Sequence, residues 1–216
     1  MKIFLDTAET DVVRKHWKTG LIDGLTTNPS LIRKSGRKHE EVYQEFKDIG
    51  LNDISMEVIG DKGNMISEGK RLHKKFGKCA TIKVPCTYEG LQACAHLSVE
   101  GIKVNVTLIF SQAQAILATK AGAKYVSPFV GRVDDNSFGG LCLVKDIAKV
   151  YREHMVTKTE VLAASLRGVR DVGRAFEYGA DIVTMPPSVF EGMYNHILTD
   201  KGLDQFDKDY AASIEV

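Results

Sequence analysis

Residues 80–87, ATIKVPCT, place one lysine, Lys83, inside a short apolar run with the pattern of a buried strand. On an edge strand such a lysine would snorkel its ammonium to solvent, and for one residue alone that reading competes with any functional one. Two carboxylates in comparable settings tilt the balance, Asp6 in IFLDT (3–7) and Glu57 in ISMEVI (54–59). Successive side chains of a strand point to opposite faces, so parity separates a core face from its reverse. Asp6 opposes Ile3 and Leu5; Ser55 and Glu57 oppose Ile54, Met56 and Val58; Thr81 and Lys83 oppose Ile82 and Val84. Asn105 and Thr107 oppose Val104, Val106 and Leu108; Ser127 opposes Val126 and Val130; Ser165 opposes Leu162 and Ala164. Any single Ser or Thr here reads equally well as a paired core group. Three charges are different, because burying unpaired charge costs several kcal/mol and ion pairs rarely recover it fully.

A lysine walled by apolar groups has its charged form disfavoured, which makes a nucleophilic amine available near neutral pH. Such an amine adds to a ketone, and the resulting Schiff base is an electron sink that stabilises a carbanion at the neighbouring carbon. Asp6 and Glu57 supply the proton shuttles that this chemistry needs, and Thr107 can anchor a water. Arg132, after SPFVG, and Arg167, after AASL, follow strand-like runs and carry the planar donor fork that suits phosphate. Either arginine alone also reads as an ordinary exposed side chain; together they favour a phosphosugar.

The elements that must hold these groups are strand-like runs at 3–7, 24–28, 54–59, 81–85, 104–110, 125–130, 160–165 and 181–186. Between them, segments such as 39–50, 63–77, 87–101, 111–122 and 141–154 carry apolar residues at three- and four-residue intervals and mostly end near a glycine. Strands alternating with amphipathic helices imply parallel pairing with right-handed crossovers. Eight such units make a closed (β/α)8 barrel, whose active sites lie at the C-terminal ends of the strands, although roughly 250 residues is the usual size. A doubly wound open sheet is the alternative. It would carry a glycine-rich phosphate loop after its first strand, and LDTAET is not one.

No linker divides the 216 residues, so 1–216 is expected to form one domain, with a helix near 203–214. A net charge of +1 argues against a nucleic-acid partner, and the basic clusters at 34–39 and 70–78 read as solvated helix faces. The four cysteines show no Cys-x-x-Cys spacing and no secretory leader precedes MKIFLDTAE, which fits a reducing cytoplasm. Scattered histidines give no metal-ligand spacing, and no apolar run approaches the roughly 20 residues that span a bilayer.

In the order FLDTA, GLTTNPSLI (24–32), IKVPCTYEGLQA (82–93), NVTLIFS (105–111), SPFVGRVDD (127–135) and AASLRG (163–168), the motifs resemble those of the transaldolases, over nearly the whole chain. The length resembles their small subfamily, which also includes fructose-6-phosphate aldolases. This resemblance implies a Schiff-base enzyme of the pentose phosphate pathway on a (β/α)8 barrel, working without a cofactor. Lys83 would form the imine with C2 of fructose 6-phosphate or sedoheptulose 7-phosphate. Asp6 would be the acid and base at the C4 hydroxyl, and Glu57 with Thr107 would hold the water of the carbinolamine steps. Asn28 and Asn105 would bind hydroxyls of the dihydroxyacetone unit, with Ser127 lining the same cavity. Arg132, Ser165 and Arg167 would grip the phosphate, and erythrose 4-phosphate or glyceraldehyde 3-phosphate would accept the three-carbon unit.

Glu57 and Phe129 resemble the transaldolase side of the family, where the aldolases typically carry glutamine and tyrosine. Phe129 brings no hydroxyl to orient water, which favours transfer over release of free dihydroxyacetone. Leu166 stands where an aromatic is common. Sugar phosphates are the implied partners, with neither nucleic acid nor membrane. By the same resemblance the chain forms a homo-oligomer, a pentamer or decamer, through its C-terminal helix, although that helix also reads as packed on its own barrel. A phosphosugar-binding barrel without turnover is the remaining alternative; it would need the arginines but not a lysine flanked by carboxylates.

Overall fold

The computed structural model describes residues 1–214; Glu215 and Val216, the end of the unit expected over 1–216, lie outside the described residues. Eight strands pair in parallel, each with its sequence neighbours, and the last pairs with the first to close a barrel. They are β1 Lys2–Asp6, β2 Gly24–Thr26, β3 Ile54–Glu57, β4 Ala80–Pro85, β5 Val104–Ile109, β6 Tyr125–Pro128, β7 Glu160–Ala163 and β8 Ile182–Met185. Around them run α1 Thr10–Trp17, α2 Pro29–Ser35, α3 His39–Ile49, α4 Lys62–Phe76, α5 Tyr88–Val99 and α6 Gln112–Lys120. The outer layer is completed by α7 Val130–Asp135, α8 Gly140–Glu153, α9 Val169–Glu177, α10 Pro187–Gly192 and α11 Ile197–Ile214. The fold is a (β/α)8 barrel.

Helix starts are written in the loops that follow the strands. Asn28, Asp61, Thr87 and Ser111 each accept a hydrogen bond from the backbone N–H three residues on, which caps α2, α4, α5 and α6. Pro29 adds the first-turn residue whose missing N–H costs the helix nothing. Outward-facing strand residues such as Leu5, Met56, Ile82, Val84, Val104 and Val106 join the helices in one continuous core. Each fully buried aliphatic side chain there contributes roughly 1.5–3 kcal/mol.

The barrel interior divides into two levels. Inside the barrel Phe4, Tyr125, Leu162, Ala164 and Ile182 form their own apolar cluster, with Phe4 and Tyr125 edge to face at 6.2 Å. Beneath them Asp53 accepts hydrogen bonds from Thr81 (2.7 Å), Lys103 (2.8 Å) and the Tyr125 hydroxyl (2.7 Å), so a buried carboxylate is fully answered. Gly24 faces Phe4 across β1 and β2; a Cβ there would lie 2.6 Å from the Phe4 ring and 2.9 Å from the Asp53 carbonyl oxygen. Only glycine lets that ring plug the barrel. The floor thus made supports a second, polar level above it.

Candidate active site

Register places the polar level. Glu57 pairs with Lys83 and Lys83 with Asn105 across β3, β4 and β5, while Asp6 pairs with Thr26 across β1 and β2. Lys83 Nζ donates to the Thr27 carbonyl oxygen at 3.0 Å and lies 2.9 Å from Glu57 Oε2, an ion contact set off the line of a hydrogen bond. The lysine side chain is only 7% exposed. Apolar walls, expected from the sequence, are not what surrounds it: carboxylate, carbonyl and amide groups do, because the inward face of β3, β4 and β5 is polar at this height.

A cavity of about 140 Å³ lies over these groups, lined by Asp6, Asn28, Lys83, Asn105, Thr107 and Ser127, among others, and Phe129, Arg132 and Ser165 also line it. It adjoins a mouth of about 460 Å³ that shares Asn28, Lys83, Thr107, Phe129 and Arg132 and adds Glu57 and Lys34. The amides have defined orientations. An N–H can only donate, so the Leu31 N–H at 3.0 Å fixes Asn28 Oδ1 at the helix cap and leaves its NH2 for the cavity. Ser127 donates to Asn105 Oδ1 at 2.7 Å, and Asn105 Nδ2 donates to Ser55 Oγ at 3.2 Å. Thr107 is buried, yet its Oγ1, like Glu57 Oε2, has no protein hydrogen-bond partner. Buried polar atoms without partners cluster where ligands or water bind.

Asp6 accepts a hydrogen bond from Thr26 Oγ1 at 2.7 Å. Burial raises its pKa above the ordinary carboxylate value, while the Thr26 bond and the charge of Lys83 pull it back. Arg132 stacks over the Phe129 ring, 5.2 Å from its centre, and has no carboxylate in ion-pair contact among the described residues. Its guanidinium is free to meet an anion at the mouth. Cys86, close to Lys83 along the chain, has its thiol pKa raised by burial, as a packing residue would.

Against known proteins, residues 3–215 match the family described as Transaldolase/Fructose-6-phosphate aldolase. The chain belongs to that family. A probable transaldolase of Paracoccus denitrificans is 50% identical over 98% of this chain and 97% of its own. One from Nitrosopumilus maritimus is 48% identical, covering 97% and 95%. A flavocytochrome B2 mutant superposes with a TM-score of 0.64 at 14% identity, over 86% of this chain and 56% of that one, a likeness of fold alone.

Within this transaldolase/aldolase family member, ten of the eleven residues singled out from the sequence line the cavity or its mouth. Arg167 does not. Its guanidinium forms a two-pronged ion pair with Asp135 at the end of α7, on the exposed rim. Two parity assignments also need correction. Leu162 and Ala164 point into the barrel, and Ser165 reaches the cavity from beyond β7 because its φ of 60° turns the chain. Leu108 lines the mouth rather than the outer layer, since the β5–β6 register slips between Val106 and Ile109 and Leu108 itself has φ 60°. Thr26 and Thr184 also line the cavity, and sequence reasoning missed them. Their runs, GLTTN and DIVTMP, carry the same parity signal that exposed Lys83.

Proposed function

We propose that the chain is a transaldolase that moves a dihydroxyacetone unit between sugar phosphates through an imine on Lys83. A buried amine that opens on a polar cavity between two carboxylates is the observation that carries this reading. Glu57, 2.9 Å away, is placed to take the ammonium proton, and the freed amine adds to C2 of the ketose phosphate. Water leaves from the carbinolamine with a proton supplied at Glu57 and Thr107. Asp6 then takes the C4 hydroxyl proton as the C3–C4 bond breaks; the aldose phosphate departs and the electron pair rests on the nitrogen-stabilised three-carbon unit. Attack of that unit on erythrose 4-phosphate, with Asp6 returning the proton, and hydrolysis of the imine give sedoheptulose 7-phosphate. Asn28, Asn105 and Ser127 hold the three-carbon hydroxyls, and Arg132 with Ser165 meets the phosphate. Arg167 joins them only if it swings away from Asp135.

Release of free dihydroxyacetone is the competing outcome. Phe129 in the cavity wall favours transfer, because its ring offers no hydroxyl to a hydrolytic water. The same reading carries a cytoplasmic place in the pentose phosphate pathway and assembly of several copies. Borohydride reduction in the presence of fructose 6-phosphate tests it: a reduced adduct is expected on the peptide containing Lys83 and is lost in Lys83→Ala, which keeps its circular dichroism. Absence of the adduct in the native chain, or native turnover in Lys83→Ala, sinks the imine. Product yield with and without erythrose 4-phosphate separates transfer from release.

A further inference from the structure

We propose that Thr184 is a positioning residue: its hydroxyl and that of Thr26 form a two-member relay that follows the proton of Asp6. Thr26 Oγ1 sits 2.7 Å from Asp6 Oδ1 and 2.7 Å from Thr184 Oγ1. A threonine hydroxyl has one proton and two lone pairs. While Asp6 is ionised it can only accept, so Thr26 spends its proton there and Thr184 must be the donor to Thr26. Once that carboxyl oxygen carries a proton, Asp6 donates to Thr26, and Thr26 turns its own proton to Thr184. Both contacts survive in either state by reversing direction, without any heavy atom moving. An acid/base group that cycles through both forms needs such a neighbour to stay in place.

Location supports the assignment. Thr184 stands on β8, beside β1, is 2% exposed, and its side chain makes no other hydrogen bond among the described residues. The charged groups facing Asp6 come from the other side, Lys83 on β4 and Glu57 on β3, with Arg132 of α7 along the same cavity. Toward β2 and β8 the carboxyl is answered by hydroxyls alone. A donor bonded behind Thr26 polarises its O–H and strengthens the bond to a carboxylate. Removing Thr184 therefore favours the protonated form of Asp6, adding to the effect of burial.

This inference rests on Asp6 being the acid and base of the proposed reaction, so its test has one arm that needs no turnover. Thr184→Val keeps the shape and deletes the hydroxyl; Thr184→Ser keeps the hydroxyl. The valine variant is expected to lose roughly three- to ten-fold in kcat with an unchanged KM for fructose 6-phosphate, and the limb governed by Asp6 moves to higher pH. Serine restores both. In Thr26→Val the second substitution adds nothing further, since the relay is already cut. In substrate-free protein, the 13C titration of the Asp6 carboxyl moves the same way in Thr184→Val. A native Asp6 titration in that variant overturns the relay, even if kcat or thermal stability falls, because the hydroxyl then only packs. If native protein shows no turnover while the titration moves, the proposed reaction fails and the relay stands.

Discussion

At the scale of single residues the two arginines separate most clearly. Arg132 faces the cavity with no carboxylate in ion-pair contact among the described residues, whereas Arg167 is held by Asp135, whose pKa is lowered chiefly by that hydrogen bond. A phosphate that recruits Arg167 must first displace a carboxylate, so the net gain is small. Loss of a charge-assisted contact of about 1.5–3 kcal/mol raises KM roughly ten-fold or more. Arg132→Ala is expected to do so for fructose 6-phosphate while leaving borohydride trapping of unphosphorylated dihydroxyacetone intact; Arg167→Ala costs less. Equal losses in the two variants would show that Arg167 joins the phosphate site. Parity alone located Lys83, Asp6, Glu57, Asn105, Thr107 and Ser127, because a charge or amide aimed inward from an apolar strand is costly unless a partner or ligand answers it. It failed for Leu162 and Ala164, which share the interior with Ser165, and for Leu108; backbone at φ 60° at Ser165 and Leu108 breaks the alternation and neither residue type announces it. The Asp135 pair was equally hidden, since 32 residues separate the partners and only the closed ring brings them together.

Elements explain how those residues are held. All eight strand-like runs became strands, but most end one or two residues early at the C-terminal side, where Thr7, Thr27, Asn28 and Ser165 leave the ladder. Pattern cannot distinguish a residue that continues a ladder from one that bends into a site. The short α7 shows what the bend requires. Val130 and Gly131 donate their N–H groups to the Ala164 and Ser165 carbonyl oxygens at 3.0 and 3.1 Å, docking the helix on the end of β7. A Cβ on Gly131 would lie 2.5 Å from the Ser165 carbonyl oxygen and 2.7 Å from Arg167 Nε. Gly131→Ala must therefore lift α7 away and carry Arg132 and Phe129 with it. Overpacking of this kind typically costs about 1–3 kcal/mol. The expected result is a lower Tm together with a raised KM for phosphorylated substrate. A Tm drop with native KM would mean that α7 does not set the position of Arg132.

Over the whole molecule the interior is settled and one outer element is not. The barrel floor of Phe4 and Tyr125 above Asp53 leaves the polar level nowhere to collapse, so the site is a consequence of closure. Helix α11 contributes nothing to that closure. It spans 18 residues, begins earlier than the 203–214 expected from the sequence, and has no buried residue. Leu203, Phe206, Tyr210 and Ile214 recur at helical spacing and are 55%, 69%, 70% and 66% exposed. A stripe of that kind on an isolated chain marks a surface that another body covers. A helix packed on its own barrel, the other reading of this segment, would show a buried face. The occupant we propose is a second copy of the chain, in line with the homo-oligomer implied by the family resemblance. Sedimentation should then give a mass several times 23.9 kDa. Phe206→Asp combined with Tyr210→Asp should reduce it to that of one chain, since two desolvated carboxylates in an apolar contact are not tolerated. A native chain that sediments singly removes the proposed partner. If the double variant is monomeric yet still yields the Lys83 adduct, the barrel houses the chemistry by itself and assembly acts on stability.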